Sequence, residues 1–165
     1  MILVRVEEEY ASYSTKKRPA IPIIKEIIKN FNDEEIVVMG RYTSQVRQLV
    51  QTFGKKIRVL SKVVDSKISL ENTDVFVGSG GTMTAESALL GIPTISYNAV
   101  PNIIESYLVR KKLVIRETNP KRVAASIRNI LESSNLETKK RSKKMLDSME
   151  DPYPILVKTM KSVLK

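Results

Sequence analysis

The sequence predicts an α/β fold: a doubly wound, Rossmann-like parallel sheet of about six strands with helices on both faces. Three observations lead to this prediction. Short runs rich in Val and Ile alternate with amphipathic segments over residues 1–118, a pattern typical of parallel strands joined by helical crossovers. Glycines gather at one strand-to-helix junction. After residue 118 the strand-like runs stop, and only helical patterns follow.

Each predicted strand is a short apolar run of the kind that is buried on both faces of a parallel sheet. The runs are ILVRV at 2–6, IVVM at 36–39, IRVL at 57–60, DVFV at 74–77, TIS at 94–96 and LVI at 113–115. We expect the strand order 3-2-1-4-5-6, which has its switch point between the first and fourth strands. Ligands bind beyond the carboxyl ends of strands at such a point, so the loops there are the candidate site.

Helical periodicity fills the intervals between the strands. Helices are predicted to start near Pro22, Ser44, Thr84 and Ile103, and three more follow in the C-terminal part. The first of those three begins at Asn119 with Pro120 at its first helical position, where the missing proline N–H costs nothing. We therefore expect a single domain over 1–165, with strands and helices in 1–118 and closing basic helices in 119–165.

The composition narrows the possible chemistry. The chain has no cysteine and no histidine, which excludes disulfides, thiolate nucleophiles, an imidazole base and the usual zinc ligands. We therefore expect no metal site. Acidic residues in MILVRVEEEY replace the apolar core of a signal peptide, and no apolar run reaches about 18 residues. From these features we expect a cytoplasmic location.

The net charge of +10 is unevenly distributed. Residues 1–109 hold 13 basic and 12 acidic side chains, whereas residues 110–165 hold 15 and 6. The run KKRSKK at 139–144 lies on a predicted helix, and such a run is usually a solvated face. An anionic membrane surface stays open as a partner. Nucleic acid is not expected, because few aromatic side chains lie nearby to stack on bases.

The stretch GSGGTMTAESALLGIP at 78–93 holds four of the six glycines. It joins the predicted strand DVFV to a helix, so its backbone N–H groups and the helix dipole point at one spot that suits a diphosphate. Alternatively, Gly78, Gly80 and Gly81 only permit a sharp turn and close packing, and the glycines alone do not decide between these hypotheses. Met83 excludes the dinucleotide fingerprint, and no Walker lysine follows.

Glu86 favours a nucleotide over a bare phosphate. If Thr82 caps the helix, a capping box would place its acid at Ala85, so Glu86 lies one position too late. Residues four apart share a helix face, so Glu86 and Thr82 are neighbours. A carboxylate there could accept hydrogen bonds from ribose hydroxyls while the turn binds phosphates. The alternative is a surface Glu stabilised by the helix dipole.

Three further loops end at the same edge of the predicted sheet. Arg41 follows the second strand and could bind phosphate in bidentate fashion, with a solvated side chain as the alternative. Thr43 is expected to cap the next helix. Val63 follows the third strand, where backbone groups could contact a base. Asn98 follows the fifth strand and could contact the sugar, although a plain turn residue is equally consistent.

The loop after the first strand also reaches this edge. Tyr10 is its main candidate, and Glu7, Ser12 and Tyr13 could line the cleft with it. Three consecutive acids would repel a diphosphate, so we expect most of the side chains at 7–9 to turn away.

The motif resembles the donor-binding pattern of two-domain glycosyltransferases with the GT-B fold. The matching residues are Ser79-Gly80-Gly81, Glu86 five residues later, and Gly91 and Pro93 in LLGIP. The pattern is most similar to that of the peptidoglycan transferase that moves N-acetylglucosamine from its UDP carrier. It is also similar to the non-hydrolysing UDP-N-acetylglucosamine 2-epimerases. The opening VRVEEEYASY and the run GGTMTAESALLGIPTIS resemble the C-terminal half of an uncharacterised, largely archaeal family related to those enzymes.

The resemblance implies a GT-B C-terminal domain that binds a UDP-sugar or related nucleotide without a metal. Ser79, Gly80, Gly81 and Thr82 would bind the diphosphate, and Glu86 would bind the ribose. The resemblance also implies an N-terminal acceptor domain, in the same chain or as a separate polypeptide. Catalytic residues stay unassigned, and we do not expect activity from this chain alone, because the epimerases carry histidines that it lacks.

A second function remains open beside this one. The chain could be a noncatalytic nucleotide-binding or scaffold module. Its basic C-terminal helices would then dock on a partner, an anionic membrane or nucleic acid.

Overall fold

The structure is a computed structural model, and it describes residues 1–10, 19–60, 66–97 and 102–163. Strands and helices alternate along the described ranges. The strands are β1 (Ile2–Arg5), β2 (Ile36–Met39), β3 (Arg58–Leu60), β4 (Val75–Gly78), β5 (Thr94–Ser96) and β6 (Val114–Arg116). The helices are α1 (Ala20–Asn30), α2 (Thr43–Phe53), α3 (Ser66–Glu71), α4 (Thr82–Leu89), α5 (Ile103–Arg110), α6 (Pro120–Glu132), α7 (Leu136–Asp147) and α8 (Pro152–Val163).

The six strands form one parallel sheet in the order β3-β2-β1-β4-β5-β6, which confirms the predicted order. At the centre, Ile2 of β1 is opposite Ile36 of β2 and Val75 of β4. These strands are buried on both faces, as their uninterrupted apolar runs predict.

The core divides into layers on the two faces of the sheet. Ile2 and Val4 pack on the face covered by α1, α2 and α6, whereas Leu3 packs on the opposite face with Phe76 and Leu70 of α3. This division follows from the alternation of side chains along a strand. A third cluster joins α4, α5, β6 and α7 beside the sheet.

The C-terminal helices differ in how they attach to the sheet. The Asn119 side chain accepts hydrogen bonds from the N–H groups of Lys121 (3.0 Å) and Arg122 (3.3 Å), so it caps α6 as predicted, with Pro120 at the first position. α7 packs on α4 through Ser142, which donates to the Leu89 carbonyl. α8 has no buried residue.

Some predicted boundaries shift in the structure. α3 was not predicted, because SKISLE is too short to show helical periodicity, and a 3₁₀ turn at Gly54–Lys56 was likewise missed. The predicted strands keep their places to within about one residue, the usual uncertainty of a strand or helix end. None of the helices in the described ranges combines the length and the apolar character needed to cross a bilayer.

Candidate functional site

Local structure explains two of the three glycines between β4 and α4. Gly80 has a φ of +77°, a left-handed conformation that favours glycine. A Cβ on Gly78 would lie 2.5 Å from Phe76 Cε1 and 2.6 Å from Thr84 Oγ1, so close packing excludes a side chain there. These two residues therefore shape the turn whether or not a ligand binds.

Neither a left-handed backbone conformation nor close packing with the described residues explains Gly81. Its φ of −147° is extended backbone that any residue adopts. A Cβ on Gly81 would meet one described neighbour within 4 Å, Nη2 of Arg41 at 3.6 Å, which is an ordinary contact. A glycine that neither backbone nor packing requires leaves an open surface beside a guanidinium group, where an anion could approach the backbone.

Gly81, and not Thr82, is the N-cap of α4. The Gly81 N–H has a long hydrogen bond of 3.4 Å to Thr84 Oγ1, while the N–H groups of Thr82 and Met83 have no acceptor among the described residues. Unpaired N–H groups and the helix dipole together favour a negative charge at this end of α4. Ser79 and Gly80 are partly exposed, and Gly81 and Thr82 are exposed, so a ligand can reach the turn.

Arg41 lies beside this turn although it follows a different strand, β2. Its N–H donates to the Gln45 side chain (2.8 Å), which fixes the backbone at the start of α2. Its guanidinium Nη1 is 4.0 Å from Glu8 Oε2, at the outer limit of an ion pair. The doubly wound topology thus brings together two predicted site residues that are 40 positions apart, Arg41 and Gly81.

Glu8 is the negative partner of Arg41. It accepts hydrogen bonds from the Tyr42 hydroxyl and from the Tyr10 N–H (3.0 Å). The Tyr42 hydrogen bond is the main reason that the pKa of Glu8 is lowered, and the Tyr10 N–H and the charge of Arg41 add to the effect. Tyr10 packs edge-on against Tyr42 with ring centroids 4.5 Å apart, so it belongs to the Arg41 side of the site.

The remaining predicted residues divide into three groups. Glu86 lies on α4 and is half-buried, and its side chain has no hydrogen bond or ion pair with the described part of the chain. Glu7 points inward and is 5% exposed. Val63, Asn98, Ser12 and Tyr13 lie outside the described residues.

One capping prediction is wrong. Thr43 does not cap α2: it is the first helical residue, and the preceding Tyr42 makes no side-chain cap hydrogen bond. Gln45 in the first turn instead joins α2 to the two preceding loops, because its long side chain accepts from the Arg41 N–H (2.8 Å) and donates to the Glu7 carbonyl (3.0 Å).

The sequence did not mark two residues that support the loops of the candidate site. Gln45 joins the loops after β1 and β2, and nothing in its spacing marks it. Tyr97 follows β5 at the same edge of the sheet and lies under the glycine turn, where its backbone N–H donates to the Gly78 carbonyl (2.9 Å). A tyrosine directly after a buried strand, TISY, was the available signal, because a buried tyrosine needs a partner for its hydroxyl.

An open groove of about 640 Å³ lies at the opposite, amino edge of the sheet. Its floor includes Ile28, Ile36 and Phe53, and its rim carries Lys25, Lys29 and Lys56. Lysines beside the C-terminal ends of α1 and α2 are expected from the helix dipole alone. We therefore place the candidate site at the glycine turn and not in this groove. Among the described residues no cluster of three acids could hold a metal ion.

The parallel sheet in the order β3-β2-β1-β4-β5-β6, with its flanking helices, matches the Rossmann-like domains of the GT-B fold. The chain belongs to the family DUF354, described as "Protein of unknown function", whose model matches residues 1–165. An uncharacterised protein of Methanocaldococcus jannaschii, MJ0665, is 31% identical over 116 residues, which are 68% of this chain and 33% of that protein.

Solved structures with the same fold include enzymes that act on sugars. The UDP-GlcNAc 2-epimerase of M. jannaschii, solved with UDP-GlcNAc and UDP, superposes with a TM-score of 0.64 at 14% identity, over 88% of this chain and 44% of the epimerase. The spinosyn rhamnosyltransferase SpnG superposes with a TM-score of 0.71 at 16% identity, over 98% of this chain and 45% of SpnG. The glycosyltransferase SnogD of Streptomyces nogalater superposes with a TM-score of 0.65 at 18% identity, over 97% of this chain and 42% of SnogD. The chain spans less than half the length of each of these proteins.

Proposed function

We propose that this chain is the nucleotide-diphosphate-sugar binding domain of a glycosyltransferase-like or epimerase-like protein, with a UDP-sugar as its ligand. The observation that carries the proposal is the position of Arg41 beside Gly81, a glycine that neither its backbone conformation nor packing against the described residues requires. The M. jannaschii epimerase, whose structure contains UDP-GlcNAc and UDP, shares the fold and supports this choice of ligand.

Each part of the ligand has a proposed partner. The diphosphate binds the turn formed by Ser79, Gly80, Gly81 and Thr82, where the free N–H groups of α4 and the Arg41 guanidinium converge. The ribose binds Glu86, whose carboxylate has no partner among the residues that the structure describes and can accept from both hydroxyls. Electrostatic stabilisation of the departing diphosphate is the contribution that such a site makes to group transfer.

The domain supplies the donor site and not the whole reaction. No described group near the turn is arranged as a nucleophile with its base, and the acceptor must bind on the other side of the cleft. We therefore propose that catalysis requires a second, acceptor-binding domain, in the same chain or as a separate polypeptide.

Titration with UDP tests the proposal, with binding followed by calorimetry and by the amide shifts of residues 78–86. Arg41→Ala should weaken UDP binding about tenfold or more, because a charge-assisted hydrogen bond contributes roughly 1.5–3 kcal/mol. The matched control is Arg58→Ala, which removes the same charge where Arg58 pairs with Glu35 near the other edge of the sheet. Equal affinities of the two variants for UDP would contradict the assignment of Arg41.

Glu86 is tested separately with a pair of ligands. Glu86→Ala should weaken UDP binding but leave pyrophosphate binding unchanged or slightly stronger, because pyrophosphate has no ribose and is repelled by the carboxylate. Glu132→Ala, an exposed change at the end of α6, is the control. Parallel losses for both ligands would place Glu86 outside the ribose site.

A second candidate function rests on α8. Its large apolar side chains Tyr153, Ile155, Leu156, Met160 and Val163 are each more than half exposed, and basic residues flank them. A noncatalytic module that docks on a partner through this helix would bind the partner without UDP. Co-sedimentation with vesicles containing phosphatidylserine, compared with neutral vesicles, tests the membrane version of this function.

A further inference from the structure

The groove at the amino edge of the sheet opens onto the main hydrophobic core. Its volume is about 640 Å³. Ile36 at the start of β2 and Phe53 at the end of α2 belong to that core, and Ile28 of α1 packs against it. Apolar side chains from three elements thus form one floor, which an apolar ligand can contact from outside.

The groove lies in a gap between α1 and α2. Both helices cover the same face of the sheet. α1 packs closely along α6, whereas it has few contacts with α2. Neighbouring helices that interlock have axes about 8–10 Å apart, and side chains fill the space between them. The gap is therefore a space that neither helix fills.

Three lysine side chains border this gap. Lys25 and Lys29 lie one turn apart on α1, and Lys56 belongs to the 3₁₀ turn after α2. The helix dipole favours a cation in the last turn of α1, which contains Lys29, but Lys25 lies four residues earlier and the two charges repel each other. None of the three forms an ion pair or a hydrogen bond with a described residue.

The acids that follow α1 do not neutralise these lysines. The Glu34 carboxylate is 3.9 Å from the amino group of Met1. Glu35 accepts from Arg58 (3.0 Å). Asp33 is exposed and forms no ion pair with a described residue. Within the described part of the chain, the groove thus combines an apolar floor with a positive rim that has no counter-ion. This combination is complementary to a ligand with an apolar body and a negative charge.

We propose that this groove binds a free anionic amphiphile, a molecule with one hydrocarbon chain that ends in a carboxylate or a phosphate. The chain lies on Ile28, Ile36 and Phe53, and the head group lies among the lysines of the rim. The site is separate from the glycine turn, which lies at the opposite edge of the sheet, so the inference does not depend on the proposed function.

The size and shape of the groove favour a small ligand over larger partners. Sites for small molecules have volumes of about 300–1,000 Å³, a range that includes this groove. A stable protein interface needs roughly 800 Å² on each partner, which a narrow gap between two helices does not offer. A membrane surface meets the lysines of the rim but does not reach the floor between the helices, whereas a single chain does.

The probe is decanoate, which is titrated into the whole chain below its micelle concentration and followed by the methyl shifts of Ile28 and Ile36. Two matched probes separate the chain from the charge. Acetate has the head group without the chain, and decyltrimethylammonium has the chain with the opposite charge. Decanoate should bind about tenfold or more tightly than either, because it alone matches both the floor and the rim.

Substitutions test the rim and the floor separately. Lys25→Gln and Lys29→Gln keep most of the side chain but remove the charge, so each should weaken decanoate binding about two- to fivefold at low salt. Lys140→Gln removes the same charge from an exposed position of α7 and should leave the affinity unchanged. Thr52→Trp places a large ring in the groove and should abolish binding, whereas Gln51→Trp, at the exposed position beside it, should not.

Three results would overturn the proposal. One is equal affinity for the three probes. Another is a set of decanoate-induced shifts that lies on the exposed apolar side chains of α8 and not in the groove, because this pattern means adsorption to a surface. The third is full decanoate binding by Thr52→Trp. The two lysine variants keep the test independent of the tryptophan, since they change only exposed side chains.

Discussion

Arg41 lies between two negative partners, the Glu8 carboxylate that the structure contains and the phosphate that we propose. At 4.0 Å the Glu8 pair is loose, and a partly exposed pair of this kind is worth little in free energy. Glu8 is instead fixed by Tyr42 and by the Tyr10 N–H. Arg41 can therefore turn to a phosphate without leaving a buried charge unpaired.

A pH prediction follows for Glu8. Its pKa is lowered, so its contribution to stability is present above the pKa of the unfolded chain and is lost as the pH falls through the folded value. Tyr42→Phe removes the main cause. We expect a higher Glu8 pKa by ¹³C NMR and a loss of stability near neutral pH that shrinks in acid.

Tyr153→Phe, on the exposed helix α8, is the control for this change and should leave the titration of Glu8 unaltered. An unchanged Glu8 pKa in Tyr42→Phe would show that the hydroxyl does not hold the carboxylate. The Tyr10 N–H would then be its main partner.

At the scale of the elements, the exit from α4 is fixed by a glycine. Gly91 has a φ of +77°, and a Cβ there would lie 3.1 Å from the Cα of Lys139 in α7. The Ser142 hydroxyl donates to the Leu89 carbonyl beside it. The LLGIP exit thus lets α7 approach α4, so this part of the motif serves packing.

Two glycine substitutions distinguish the cost of backbone strain from the cost of close packing against α7. Gly91→Ala and Gly54→Ala both force alanine to a positive φ, at a cost of roughly 1–3 kcal/mol each. Gly54 has nothing within 4 Å of its Cβ position, whereas Gly91 contacts the backbone of α7. We expect the larger loss of unfolding free energy in Gly91→Ala, measured by denaturant titration. Equal losses would mean that α7 shifts without cost.

At the scale of the whole molecule, the sheet and most of its helices pack together, whereas α8 adds no buried side chain to this packing. α8 has no buried residue, although five of its large apolar side chains are exposed. An apolar patch on a helix usually marks an interaction surface.

Removal of residues 152–165, which include α8, tests whether α8 is an interaction surface and not a part of the packed core. Because α8 buries no side chain, the truncated chain should unfold with nearly the same midpoint and should associate less in solution, as measured by thermal unfolding and light scattering. A large loss of stability would show that α8 packs on the sheet in solution.

The sequence by itself determined the fold class and predicted the place of the candidate site. Apolar runs that alternate with helical segments predicted a doubly wound parallel sheet, and its expected strand order is the observed one. The glycine turn after the fourth strand marked the carboxyl edge of the sheet. Asn119 and Pro120 fixed the start of α6, because capping is a local property of a few neighbouring residues. Local patterns are visible in one dimension, so these predictions needed no tertiary contacts.

The tertiary structure decided which side chains meet. Arg41 reaches Gly81 from another strand, Gln45 joins the loops after β1 and β2, and the Tyr97 hydroxyl donates to Glu7. Each of these contacts depends on where separate loops end in space and on which way a long side chain turns. Spacing along the chain carries neither quantity, so the turn could be found from the sequence, whereas the polar network beneath it required the structure.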